Sequence, residues 1–345
     1  MRVGLVYDPV YLEHNTGNHV ENSQRLDTTI SHLEETQLKD KLVLLPPRQA
    51  TVAELSAVHS TEYIANVQTW AEKGGGWLDA DTVISANSYK AATYAAGGVL
   101  TAIEAVMSQH VNSAFALVRP PGHHATCWQA MGFCLFNNTA IAAKFAMANF
   151  NLDRILIIDF DVHHGNGTQD TFYADPHILY FSTHQYPFYP GTGSIDETGA
   201  RDGEGTTVNI PLIAGWGDEE YQRIFEDILA PVAERFQPQL ILVSAGYDAH
   251  WADSIASMRV SVAGFARMVE IIKILTAELC PGRLVFTLEG GYHLQALSAS
   301  IKATLDMLLG NTEINDPLGK QELRAKPLNL DNFVGTVKDI HHLRI

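Results

Sequence analysis

The 345-residue sequence is poor in cysteine and in cationic side chains. Its three cysteines, Cys127, Cys134 and Cys280, are odd in number and widely spaced, which argues against a disulfide framework and against a cysteine-built zinc site, and fits a reducing compartment. Only 23 Lys and Arg stand against 39 Asp and Glu, a formal charge of −16 near neutrality. The basic clusters that neutralise phosphate are missing, so direct nucleic-acid binding is not expected and cationic partners are favoured. No apolar run approaches the roughly 18 residues of a membrane span, and the amino-terminal run reaches Asp8 too soon for a signal peptide. A soluble, unexported, cytoplasmic protein with no membrane partner is therefore expected. Internal repeats and low-complexity tracts are absent, and no linker precedes residue 310. What is present is a globular composition, 46% hydrophobic against 18% charged, together with 15 histidines.

Apolar runs of strand length recur at 3–7, 114–118, 154–160, 178–182, 240–245 and 284–288. Between them, helical periodicity marks 86–110, with Ala92, Ala95, Ala96, Val99 and Ile103 on one stripe, and also 139–149, 218–236, 261–279 and 293–309. Strands alternating with helices predict an α/β fold with a mostly parallel central sheet flanked by helices. Thr51 and Glu54 have the spacing of a capping box, which starts a short helix. Residues 1–310 read as one continuous domain. Residues 311–345 lose the periodicity and form a C-terminal extension, expected to pack on the same domain.

Ligands of parallel sheets bind beyond the carboxyl ends of strands, so the residues that follow each strand carry the argument. After 114–118 come Pro120, Pro121, Gly122, His123 and His124, two stiffening prolines and then two imidazoles. After 155–158 come Asp159, Asp161 and His163, which period 2 puts on one side of an extended segment, where carboxylate and imidazole can converge on one ion. After 240–243 comes Asp248, and after 284–288 come Glu289, Gly290, Gly291 and Tyr292. Each has an ordinary explanation alone: loop histidines bound to carbonyls, a helix-capping Asp, a glycine turn. Four strands each ending in polar groups suited to one metal-assisted reaction are hard to explain as four accidents.

At these residues the chain resembles the histone deacetylase superfamily, of the arginase/deacetylase fold. The resemblance covers residues 1–310. It rests on RPPGHHA at 119–125, GFCLFNN at 132–138, DFDVHHGNGTQ at 159–169, FYPGTG at 188–193, SAGYDAH at 244–250 and LEGGY at 288–292. The first and third blocks are similar to the class II branch and to bacterial deacetylase-like and acetylpolyamine amidohydrolase enzymes, more than to class I. The resemblance implies that Asp161, His163 and Asp248 bind one Zn²⁺, which lowers the pKa of bound water. It implies acid/base work for His123 and His124, oriented by Asp159 and by Asn166, the latter standing where class I enzymes carry Asp. Because an amide brings no charge, His124 is expected to be the less basic of the pair. Tyr292 matches the residue that hydrogen-bonds the tetrahedral oxyanion. Gly132, Phe133 and Tyr189 match the acyl-lysine tunnel. Arg25 falls in a loop where the family has HPExPxR, although both prolines are missing here. The family also implies a structural K⁺ at Asp159, Asp161, His163 and Ser182, and a second near Phe172, Asp175 and Ile178. His164 is expected to be structural.

The expected activity is removal of acetyl groups from acetylated lysine in peptides or proteins. Acetylated polyamines are the alternative substrate. Specialised polyamine members carry an acidic gatekeeper where this chain has Ile255, which weighs against that alternative. A binuclear arginase-like hydrolase would need further bridging carboxylates where His164 and His250 stand, and a non-catalytic acyl-lysine binder would not retain the whole set of ligands, His pair and Tyr292.

Overall fold

Buried on both faces, the apolar runs assemble as a parallel sheet. The computed structural model describes residues 1–321 and 330–343. Its strands are β1 (Val3–Val6), β2 (Val43–Leu45), β3 (Gly75–Trp77), β4 (Val83–Ser85), β5 (Ser113–Ala116), β6 (Ile155–Asp159), β7 (Ile178–Gln185), β8 (Thr207–Leu212), β9 (Leu240–Ala245) and β10 (Leu284–Leu288). Eight of them form one sheet in the order β2-β1-β5-β10-β9-β6-β7-β8, every neighbouring pair parallel. β3 and β4 make a separate antiparallel pair. All residues of β1, β5, β6, β7, β9 and β10 are buried, which accounts for their apolar runs, although β7 ends in the buried polar residues Ser182, Thr183, His184 and Gln185.

Two helical groups pack around this sheet. The helix Leu294–Leu309 packs on both Gln24–Glu35 and Val262–Leu279, and Ser88–Met107 packs on Asn138–Phe150. The stripe Ala92, Ala95, Ala96, Val99 and Ile103 is buried as its period predicts. Thr51 and Glu54 form the expected capping box in front of the helix Val52–Leu55. The stretch 218–236 is not one regular helix, because a π-helical segment, Phe225–Leu229, interrupts it. Pro231 follows at once and has no N–H to give to the i−4 ladder, so the preceding turn widens.

Beyond residue 310, Trp251 Nε1 donates to the Gly319 carbonyl (2.8 Å), Arg235 donates to the His341 carbonyl (2.6 Å), and Trp216 meets Phe333 edge-on at 5.2 Å. Residues 322–329 and 344–345 of the expected extension lie outside the described residues. Among the described residues no helix is long and apolar enough to cross a membrane.

The strand order matters most for what lies above it. β5, β10, β9 and β6 are consecutive neighbours, so the segments that follow them, 119–124, 289–292, 246–250 and 160–167, emerge side by side at the carboxyl ends of the strands.

Candidate metal centre and cavity

These four segments line or underlie a cavity of about 230 Å³, bounded by Asp81, Pro121, His123, His124, Gly132, Phe133, His163, Phe188, Tyr189, Ile255, Gly290 and Tyr292. His163 lines this cavity, and its ligand atom lies within 4.8 Å of those of Asp161 and Asp248. His163 Nδ1 is 3.1 Å from Asp161 Oδ1 and 3.3 Å from Asp248 Oδ2. The backbone secures the carboxylates from behind. The Gly290 N–H donates to Asp161 Oδ2 (2.8 Å), and the Val162 N–H donates to Asp248 Oδ1 (2.9 Å). The glycines are needed here for space. A Cβ on Gly246 would stand 2.1 Å from Asp161 Oδ2, and one on Gly290 2.1 Å from Asp248 Oδ2.

The donor set can be tested for its fit to an ion. Two carboxylates and one imidazole match the three-ligand pattern of catalytic zinc, which leaves a position open. Asp248 Oδ2 is buried and takes no hydrogen bond, a costly arrangement unless a cation completes it. Burial pushes the Asp248 carboxyl up to about 6 and the neighbouring Asp161 charge adds to the shift, while the His163 imidazole 3.3 Å away opposes it only in part. The residues fit a divalent cation.

Beside this cluster the two imidazole rings of His123 and His124 lie 4.0 Å apart, centroid to centroid. His123 Nδ1 is 3.1 Å from Asp159 Oδ2, which also accepts from the Tyr180 hydroxyl (3.1 Å). His124 Nδ1 is 2.8 Å from Asn166 Oδ1. The two environments push the histidines apart. Burial lowers the basicity of His123, but the charges of Asp161 and Asp159 outweigh it and raise the pKa to about 10. Burial holds His124 well below its ordinary value, and the neighbouring His123 and His163 add to that.

Phe133 and Tyr189 both line the cavity, as does Gly132. The Tyr189 ring meets His124 at 5.1 Å and His163 at 6.1 Å, both edge-on. Phe133 has φ of 69°, a left-handed backbone that a bulky residue seldom adopts, and its N–H donates to the Thr82 hydroxyl (3.1 Å). Tyr292 meets Phe133 edge-on at 5.8 Å, with the Arg25 guanidinium 4.9 Å from its ring centroid. Arg25 is buried and donates to the carbonyls of Gly291 (2.7 Å) and Glu289 (2.6 Å), so it reaches the site despite the missing prolines.

The residues grouped for potassium are also brought together in part. The β6–β7 register puts Asp159 opposite Ser182, and Ser182 Oγ lies 3.0 Å from His184 Nδ1. Phe172, Asp175 and Ile178 are linked by turn hydrogen bonds, the Asp175 N–H donating to the Phe172 carbonyl (2.9 Å). His164 is buried between Thr192 Oγ1 (2.7 Å) and Gln169 Oε1 (3.0 Å), a satisfied interior histidine.

Sequence reasoning left several residues of this region without a role. Phe188 stacks on His163 at 5.5 Å, one position before the aromatic that the motif singled out. Asp81 reaches the cavity from the distant β3–β4 connection, which carries no local signal. Glu289 was visible as an acid ending an apolar strand. It is fully buried, accepts the N–H groups of Gly122 (2.7 Å) and His123 (3.1 Å) and the Ser244 hydroxyl (3.1 Å), and burial pushes its pKa up to about 7. His123, Cys134 and Glu289 also lie close enough to share an ion, but those three donors already occupy the Glu289 carboxylate, which marks it as an anchor for the His pair.

Comparison with known proteins gives one consistent picture. The histone deacetylase domain family matches residues 19–308. A probable deacetylase of Archaeoglobus fulgidus is 42% identical over 298 residues, 86% of this chain and 82% of that protein. The chloroplastic histone deacetylase 14 of Arabidopsis thaliana is 41% identical over 320 residues, 88% of this chain and 76% of that protein. Among solved structures, the HDA15 HD domain superposes with a TM-score of 0.90 at 35% identity, covering 99% of this chain and 95% of that one.

Proposed function

The chain belongs to the histone deacetylase family, and on that premise we propose that it is a zinc-dependent amidohydrolase acting on acetyl-lysine side chains of peptides or proteins. The observation that carries this reading is the convergence of Asp161 and Asp248 on His163, which lines a cavity whose walls also present the His123–His124 pair and Tyr292. A neutral acylated chain fits between Phe133 and Tyr189, while charged parts of the substrate stay at the acidic surface.

Asp161, His163 and Asp248 would hold the zinc, which when bound supplies Lewis acidity and makes water acidic enough to react near neutral pH. The remaining work falls to the chain's own groups. His124 keeps Nδ1–H on Asn166, which leaves Nε2 free to take a proton. His123 keeps Nδ1–H on Asp159 and serves as the more cationic partner. Tyr292 donates its hydroxyl to the developing oxyanion. Asp159 and Ser182 contribute to a structural K⁺ site together with the backbone at Asp161 and His163. The reading is tested by comparing hydrolysis of an acetyl-lysine peptide and of acetylspermidine, each with and without a zinc chelator. Preference for the polyamine would reassign the substrate, and chelator-insensitive turnover would remove the zinc.

A further inference from the structure

The loop that carries Tyr292 has little stiffness of its own, because Gly290 and Gly291 precede it and Gly291 has φ of 115°. A hydrogen-bond donor that must meet a transient oxyanion cannot wander, so the loop needs anchors outside itself. Two carboxylates supply them. Asp161 accepts the Gly290 N–H, and Asp253 Oδ2 accepts both the Tyr292 N–H (2.6 Å) and the His293 N–H (2.9 Å). Asp253 is buried, 5% exposed, on the segment that follows Asp248. Its other oxygen, Oδ1, accepts the Ile255 N–H (3.2 Å), and the Ile255 side chain lines the same cavity as Tyr292.

We propose that Asp253 is a positioning residue whose carboxylate, held on the segment that carries Ile255, fixes the backbone of Tyr292 and with it the placement of the oxyanion donor. This rests on the deacetylase reading above. The bonds are charge-assisted and shielded from water, which makes them strong enough to hold a glycine loop. A displacement of about 1 Å at such a donor costs on the order of 100-fold in rate. A second role is available to the same residue, since His293 caps the helix Leu294–Leu309 and Asp253 could serve only to seat that helix. The two roles differ in one respect: seating a helix does not require the Tyr292 hydroxyl.

The test is a double-mutant cycle in the full-length, metal-loaded enzyme, with Asp253→Asn made alone and in Tyr292→Phe, and steady-state kinetics on an acetyl-lysine peptide. Alone, Asp253→Asn is expected to lower kcat roughly 10- to 100-fold with KM and metal content nearly unchanged. In Tyr292→Phe the same change should alter kcat by less than about a factor of two, since the donor it positions is already gone. Equal losses in both backgrounds, or a loss carried in KM, would overturn the proposal. Asp253→Ser carries the same cycle if the Asn variant does not fold. Amide exchange in the unmodified protein gives a readout independent of activity: the Tyr292 and His293 protons should be protected, and fast exchange contradicts the assignment. If the unmodified protein leaves acetyl-lysine intact, the functional reading fails while the exchange result still judges Asp253.

Discussion

His124 Nδ1 lies 2.8 Å from Oδ1 of Asn166, whereas the adjacent His123 bonds the carboxylate of Asp159 at 3.1 Å. Two neighbouring imidazoles thus receive partners of different charge. Asn166→Asp gives His124 an anionic partner that stabilises its protonated form, so its pKa rises. If neutral His124 takes the proton, the acid limb of the kcat/KM profile moves to higher pH in this variant. An unmoved limb removes His124 from that role.

Tyr292 lines the cavity, edge-on to Phe133 and beside the Arg25 guanidinium. Tyr292→Phe keeps the ring and removes the hydroxyl. It is expected to lower kcat by about 10²–10³-fold with little change in KM, the usual cost of one oxyanion donor. Steady-state kinetics check this, and equal kcat values contradict it.

Glu21 holds two buried guanidiniums, those of Arg25 and Arg119, and Arg25 in turn reaches the Gly291 and Glu289 carbonyls. Removing its charge leaves the two cations without their common counter-ion in a dry interior. Glu21→Gln should therefore destabilise the fold by about 3–5 kcal/mol. Denaturant unfolding measures this, and a loss under about 1 kcal/mol would mean that the network is better solvated than its burial suggests.

His59 is fixed in its neutral form. Its Nδ1 lies 2.8 Å from the Thr126 carbonyl, to which it must donate, and its Nε2 accepts the Asn137 N–H (2.9 Å). Burial lowers its pKa from 6.5 to about 4. A histidine with a depressed native pKa binds fewer protons folded than unfolded, so its share of stability is complete above pH 6.5 and is lost as pH falls toward 4. His184, also buried, shifts in the same direction. The melting temperature should drop across this window, and the drop should shrink in His59→Gln.

Much of the site was legible because motif residues sit where strands end, and the parallel sheet carries those ends to one edge. Period 2 groups Asp159, Asp161 and His163, and strand position adds Asp248; the choice of Asp161, His163 and Asp248 as the ligand set is what the family resemblance implies. β8 was not legible: Pro211 argues against a strand, and only its place at the sheet edge tolerates it. Asp253 was equally silent, since its partners at 292 and 293 are distant in sequence and are backbone amides that any residue offers. The π-helical turn at Phe225–Leu229 belongs to the same class, a hydrogen-bond detail hidden inside a correct helical period.

Metal-dependent cleavage of acetyl-lysine is the central property proposed for this protein. The deciding measurement is turnover of an acetyl-lysine peptide by metal-stripped protein titrated with Zn²⁺, alongside Asp248→Asn. Activity is expected to return at about one zinc per chain, whereas Asp248→Asn should neither bind the ion tightly nor recover. Full activity in the stripped protein, or a requirement for two ions per chain, would contradict that proposal.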